Sequence, residues 1–469
     1  MGTVRKRVAV VGGGIAGLAA AVRIRDRAPA GTEIIVYEQS GQLGGKLRTG
    51  ELAGVAVERG AESFLVGGPE GEESAAVRFV RRLGLGDSLV HPAAVPAALA
   101  IGGALEPVPK GTLVGVPGDL DALGAVARPA AGADRDDGRP LLGPGDDVAV
   151  GALVRARYGD EVADRLVDPL LGGVYAGRAD RLSLATTMPA LARTARTEHT
   201  LVAAVRAAQA AAVRVPGRPI FAAVDGGMST LISAAASASE ARISLGLPVR
   251  EIARTEHGWR LLLGPVPAPQ VDDVDAVVLA VPARPAARML AGIDLSAAAE
   301  VEALDYASVA LVAFALPSGT PLPDLSGFLV PPTEGTLVKA ATFLTHKWGH
   351  LRRDGGPVIV RASLGRDGEE ERLQFNDAVL AAKAHAELGR LIGGGALPPP
   401  AAFWVQRWGG GLPQYAPGHL DRVALARAAL SAQPGLALAG AAYDGVGIPA
   451  CVASGEKAAD EILKLLEER

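Results

Sequence analysis

An α/β fold built in several units is what this sequence predicts, and three observations predict it. Residues 7–37 run strand, glycine turn, helix, strand, the order of a βαβ unit in a parallel sheet. Residues 436–465 again run strand, glycine turn, helix. The chain has 469 residues, well past the roughly 250–300 at which one hydrophobic core stops growing, so two or three units are expected.

The first strand is the unbroken apolar run RVAVV at 7–11, as expected of a parallel strand buried on both faces. Gly12, Gly13, Gly14, Ile15, Ala16 and Gly17 follow as a GxGxxG that opens an Ala-rich helix over 15–27. Gly12 permits the tight turn, Gly14 lets backbone approach a pyrophosphate, and Gly17 lets helix and strand pack closely. The helix N-terminus then offers free N–H groups to the phosphates. A second strand, EIIVY at 33–37, leads to Glu38 and Gln39. Glu38 lies about 20 residues past Gly17, where an acid accepts hydrogen bonds from ribose hydroxyls. Dinucleotide binding follows.

The stretch from 69 to 211 differs. It shows helical segments at 75–83 and 152–167, broken by a loop-rich piece at 128–147 that is expected to be exposed and mobile. Strand and helix patterns return at 221–235 and 275–282. Alternating strands and a helix near 377–392 fill 300–410. The reading is therefore a Rossmann-like dinucleotide-binding domain visited three times (1–70, 212–290 and 420–469), a mainly helical domain (71–211) and an inserted α+β domain (291–419).

Composition excludes several classes. At 49% hydrophobic the chain is not disordered. A net charge of −4, with scattered Lys and Arg, gives no nucleic-acid footprint. The one cysteine, Cys451, rules out an intramolecular disulfide and a multi-cysteine metal site, and fits a reducing cytoplasm. The glycines interrupt the N-terminal apolar run too early for a leader peptide. Mean hydropathy is +0.24, yet the longest uncharged stretches, 88–105 and 306–323, contain Pro and Gly and fit a spanning helix poorly. A peripheral membrane contact stays open. Of seven histidines only His346 and His350 have helical ligand spacing, with Gly349 between them and no third ligand, so no metal site is expected.

Leu43-Gly44-Gly45-Lys46-Leu47-Arg48-Thr49 resembles the second glycine motif of the flavin amine oxidase and protoporphyrinogen oxidase superfamily. Glu58-Arg59-Gly60-Ala61-Glu62-Ser63-Phe64 resembles the segment that lies there beside the isoalloxazine. The string from Leu438 to Pro449, LAGAAYDGVGIP, resembles its closing flavin motif. Gly172 to Gly177 with Leu182-Ser183, Lys347-Trp348, Trp408, Pro413-Gln414-Tyr415 and Gly418-His419 are similar to the soluble bacterial branch of protoporphyrinogen and coproporphyrinogen oxidases. The resemblance spans residues 7–465 and is looser at 128–147 and 261–275.

The resemblance implies bound FAD. It places Lys46, Gly60, Ala61, Glu62, Ser63 and Trp408 about the cofactor, the Val249 backbone at adenine, and Val446, Gly447 and Ile448 at the pyrimidine edge. Cys451 is read as a packed thiol. It further implies that the α+β domain binds substrate. A porphyrinogen would lose hydride to flavin N5 in repeated rounds, and O₂ would reoxidise the flavin to give H₂O₂. Glu62 is the candidate for orienting pyrrole N–H groups. Arg178, Lys339, Lys347 and Arg361 are candidates for holding propionates, with solvated surface charge as the competing reading. The LVGGPE after Phe64 departs from relatives that carry a basic residue there. Coproporphyrinogen III is the favoured substrate. Protoporphyrinogen IX, an amine, a carotenoid, and a flavin-binding protein without catalysis are the alternatives. A ferrochelatase taking the product is the natural partner.

Overall fold

The computed structural model describes residues 6–467, apart from positions 69, 214 and 394. Residues 1–5, part of the stretch read as lacking a leader, lie outside the described residues. The chain enters through β1 (Arg7–Val11), α1 (Ile15–Arg27) and β2 (Glu33–Glu38), as the βαβ pattern predicts. It returns through α2 (Met228–Ser239), β3 (Arg242–Leu245) and β4 (Ala276–Leu279), and again through β5 (Leu436–Leu438) and α3 (Ile448–Glu467). The five strands form one parallel sheet in the order β3-β2-β1-β4-β5. The order reverses between β1 and β4, which creates the crevice where such sheets bind ligands.

The strands β1, β2, β4 and β5 are buried on both faces, which explains their apolar runs, while the edge strand β3 is more exposed. Val8, Val10, Ile34 and Val36 pack against α1 and α3 through Ala20 and Ala459. Their neighbours Ala9, Val11, Ile35 and Tyr37 pack instead with Trp259 and Leu261 of a three-stranded antiparallel sheet spanning 249–274. Helices α1 and α3 touch backbone to backbone, because a Cβ on Gly455 would overlap the Ala16 carbonyl.

A mixed seven-stranded sheet forms the second layer. Its order is Ala402–Pro413, Tyr306–Leu316, Val358–Leu364, Val338–Phe343, Gly327–Leu329, Ala97–Ile101, Ala104–Pro107. The helix Asp377–Leu391 covers one face through Leu380, Ala384 and Leu388. The last two strands correct the expectation that 71–211 is mainly helical: residues 97–107 leave that stretch and pair in this sheet. A short apolar run such as AALAI does not distinguish strand from buried helix. The helix Ala75–Arg82 also packs outside that stretch, sharing a core with α3 through Val77, Val80, Ile448 and Val452. The helical cluster proper is built from 150–211 around Tyr158, Leu166, Leu171 and Leu191. The expected helix at 152–167 breaks at Gly159, whose φ of 96° favours glycine.

The loop at 128–147 is largely exposed as expected but is pinned at two points. Asp134 accepts hydrogen bonds from the Leu201 and Val202 N–H groups at 2.7 and 2.8 Å and pairs with Arg157 at 3.1 Å. Asp147 accepts from Ser183 Oγ at 2.7 Å, Ala185 N at 3.1 Å and Gly418 N at 2.9 Å. No helix among the described residues is long and apolar enough to cross a membrane.

Candidate functional site

β1 and β5 run parallel in one sheet and each leads through a glycine turn into a helix. The N-termini of α1 and α3 therefore open at the same sheet edge. The glycines of the first turn divide the work as their positions suggest. A Cβ on Gly12 would collide with the Ala280 carbonyl, and one on Gly17 with the Gly12 carbonyl, so both serve packing. A Cβ on Gly14 would meet nothing within 4 Å. Gly14 caps α1 without a side-chain acceptor, and the first turn carries no acid. Free N–H groups facing open space at a helix N-terminus fit a phosphate.

Glu38 is buried and holds this loop directly. Its carboxylate accepts from Gly13 N at 2.8 Å and Ser40 N at 2.8 Å, leaving lone pairs for ribose hydroxyls. Gln39 follows it at the end of β2. Gly246 N and Leu247 N donate to the Ser40 and Glu38 carbonyls, which brings Val249 beside this end of β2.

The second glycine motif lies against the first. Gly44 N donates to the Gly13 carbonyl at 2.8 Å, and a Cβ on Gly45 would sit 3.6 Å from Gly14 Cα. Lys46 follows, half-buried, and no carboxylate among the described residues pairs with it. Burial pushes its ammonium below the usual lysine range, and burial pushes the neighbouring Cys451 thiol up to about 11. Cys451 is thus a packed, protonated thiol in the first turn of α3. Val446 and Gly447 precede that turn, and Ile448 begins it.

Residues 59–62 run beside Lys46. Ala61 N donates to the Lys46 carbonyl at 3.2 Å, and Gly60 leaves no room for a Cβ there. Trp408 Nε1 donates to the Arg59 carbonyl at 2.7 Å, setting its ring over this segment, with Arg48 stacked 5.6 Å away. Ala61 is exposed and Ser63 half-buried. Glu62 binds Lys347 and Arg361 together, one through each carboxylate oxygen. Burial alone would raise the Glu62 carboxyl. Arg361 and Lys347 outweigh it and hold it at about 2. Arg361 also donates to the Glu58 carbonyl at 3.0 Å.

Each of the four cations suggested for propionates has a protein partner. Lys347 and Arg361 are on Glu62. Arg178 pairs with Glu369 at 2.8 Å and Asp168 at 3.6 Å. Lys339 is 6% exposed and donates to the Gly172 carbonyl at 3.3 Å, so the solvated-surface reading fails for it. Desolvation, followed by the nearby Arg366, lowers Lys339 to about 7.

The signature of flavin containing amine oxidoreductases matches residues 15–463. The chain belongs to that family. Within it, 35% of 461 aligned positions are identical to the coproporphyrinogen III oxidase of Mycobacterium tuberculosis H37Rv, covering 98% of this chain and 97% of that one. The Bacillus subtilis coproporphyrinogen III oxidase is 30% identical over 483 positions, covering 98% and 99%. A crystal structure of a protein from Exiguobacterium sp. 255-15, provisionally named protoporphyrinogen oxidase, superposes with a TM-score of 0.85 at 30% identity, over 99% and 100% of the two chains. This flavin family's chemistry is oxidoreduction, and the two glycine motifs, Glu38 and the α1 N-terminus form a cleft suited to its cofactor.

Sequence reasoning named Glu58 only as the start of the segment at 58–64 and missed its tie to α2. Its carboxylate accepts from Met228 N, at the start of α2, at 2.7 Å and from Thr49 Oγ1 at 3.0 Å. Thr49 Oγ1 accepts in turn from Ser229 N at 3.0 Å. Met228 lies 170 positions from Glu58, and no local pattern announces that pairing.

Proposed function

We propose that this chain is an FAD-dependent coproporphyrinogen III oxidase that uses O₂, forms coproporphyrin III in haem biosynthesis and works in the cytoplasm. The observation that carries the reading is the glycine cradle, open at Gly14, in a chain related along its whole length to enzymes of that name. Bound FAD supplies hydride acceptance at N5 and reoxidation by O₂ to H₂O₂. The protein supplies position and field.

Gly12 to Gly17 and the α1 N-terminus hold the pyrophosphate, with Glu38 and Gln39 at the ribose and the Val249 backbone at adenine. Lys46 offers its ammonium to the same anionic stretch. Gly60, Ala61 and Ser63 with the Trp408 ring flank the isoalloxazine. Val446, Gly447 and Ile448 present the N-terminus of α3 to its pyrimidine edge, where negative charge gathers on reduction. Glu62 stays ionised between its cations, so it orients pyrrole N–H donors and takes no proton from them. Lys347, at 23% side-chain exposure against 11% for Arg361, is the cation of that pair which shares itself with a substrate carboxylate. A ferrochelatase consuming the product is the partner this reading calls for.

Anaerobic mixing of the flavin-loaded protein with coproporphyrinogen III and, separately, protoporphyrinogen IX tests the reading. Faster bleaching by the first supports it. The reverse preference moves the chain to protoporphyrinogen, the reading favoured by the name of the Exiguobacterium neighbour. No bleaching by either removes porphyrinogens and turns the search to amines and carotenoids.

A further inference from the structure

The segment 413–419 joins the helical cluster to the turn that opens α3, and Tyr415 is at its centre. Tyr415 is 1% exposed, with its ring edge-on to Tyr175 at a centroid distance of 5.8 Å and against His419 at 4.6 Å. Ser183 N donates to the Tyr415 carbonyl at 2.7 Å, and Gln414 Nε2 donates to the Tyr175 carbonyl at 2.8 Å. Ring and backbone are thus held from the helical cluster, to which Tyr175 and Ser183 belong.

The hydroxyl reaches the other way. Tyr415 Oη donates to the Ala441 carbonyl at 2.5 Å, in the turn between β5 and α3. Burial holds the phenol well above its usual range, so the donor is always present; the Val446 N–H, close to the same oxygen, works the other way. Gly445 and Gly447 in this turn have φ of 115° and 102°, and glycine backbone at such angles has little stiffness of its own. The turn's other side-chain ties run to α3 and to the helix His419–Leu430. Gly440 N donates to Ser454 Oγ at 2.8 Å, and Asp444 pairs with Arg427 at 2.7 Å.

We infer that Tyr415 is a positioning residue for reduction of the cofactor: its hydroxyl holds the turn at 441–447 so that Val446, Gly447 and Ile448 meet the pyrimidine edge of the flavin. The inference rests on the FAD reading given above. The turn presents the N-terminus of α3, whose dipole favours the negative charge that gathers at that edge on reduction. This field falls off within the first turn of a helix. A small displacement of the turn therefore weakens the hold on reduced flavin more than on oxidised flavin. Through Tyr415 the helical cluster sets where the turn sits.

Two variants test this. Tyr415→Phe keeps the ring and removes the hydroxyl, whereas Tyr175→Phe removes a phenol from the same stack and leaves the bond to Ala441. Spectroelectrochemical titration of the FAD-loaded proteins, without any porphyrinogen, reads the two-electron potential. In Tyr415→Phe the affinity for reduced relative to oxidised flavin should fall about tenfold, a potential about 30 mV more negative. Tyr175→Phe should keep the parent's value. In the cofactor-free proteins, amides within 441–448 should exchange at least about fivefold faster in Tyr415→Phe and not in Tyr175→Phe, a readout of local opening that needs no flavin. An unchanged potential in Tyr415→Phe overturns the inference. Equal shifts in both variants overturn it too, because they would come from lost polarity in the stack. Uptake of FAD by the parent checks the underlying reading separately: a parent that binds none removes both, whereas a parent that binds FAD with both variants at its potential removes this inference alone.

Discussion

Glu62 and Arg361 stand 299 positions apart in the chain and meet as an ion pair at the join of the dinucleotide-binding unit and the seven-stranded sheet. Lys347 completes the pair on the other carboxylate oxygen, so one anion organises two cations from two segments of the sheet layer. Replacing Glu62 with Gln strands both. A folded carboxyl at about 2 against an ordinary 4.5 is worth roughly 3 kcal/mol, in line with the roughly 3–5 kcal/mol for breaking a buried pair. The folded value is depressed, so this stability is present above the ordinary carboxylate range and lost as pH falls toward 2. Urea denaturation of parent and Glu62→Gln at pH 7 and pH 3 should show a gap that narrows in acid. A gap constant with pH would contradict the assignment.

Gly14 and Gly17 separate binding from folding. Gly14 has φ of −77° and open space before it, so Gly14→Ala should shift the melting temperature of the cofactor-free protein by less than about 2 °C. FAD affinity should weaken at least about tenfold, ~1.4 kcal/mol. Gly17→Ala drives a methyl into the Gly12 carbonyl and should cost about 1–3 kcal/mol of stability. Titration with FAD alongside thermal melts distinguishes the two.

Lys339 has the same sign of pH dependence as Glu62 but in a higher window. Burial holds its folded value at about 7 against 10.5, so between those values the unfolded chain binds more protons and stability rises with pH. Lys339→Met should flatten that rise, at the cost of the bond to the Gly172 carbonyl. Denaturation midpoints at pH 7 and 9 for both proteins give the slope directly, and parallel slopes would refute it.

Asp147 gathers donors from two segments far apart in the chain. Asp147→Ala leaves Ser183, Ala185 N and Gly418 N without their acceptor. At about 1–3 kcal/mol for an orphaned buried donor, limited proteolysis should begin to cut within 128–147, where the parent resists.

The parallel sheet was legible because its signals are local. RVAVV, the glycines and EIIVY each declare themselves within a few residues, and β1, α1 and β2 form where they predict. The two glycine turns that lie against each other were legible for the same reason, since a tight turn demands glycine whatever surrounds it. The strands at 97–107 were not, because their partner Gly327–Leu329 lies more than two hundred positions on and their own run is too short to show a period. The charges of the site were half legible. Lys347 and Arg361 stood out as candidates, but that both would be bound by Glu62 depends on long-range packing that no spacing encodes.

The backbone contact between Gly455 and Ala16 has a consequence for synthesis. The ribosome makes the first half of the cleft long before β5 and α3 exist, and at about 5–20 residues per second the wait is on the order of tens of seconds. Over that interval α1 has no α3 to lie against, and Ala16 and Ala20 stay bare on its outer face. On the proposed reading, flavin captured at the finished crevice would join the earliest and latest segments of the described chain. A nascent protein stalled before β5 should be recognisable by its failure to keep the yellow colour.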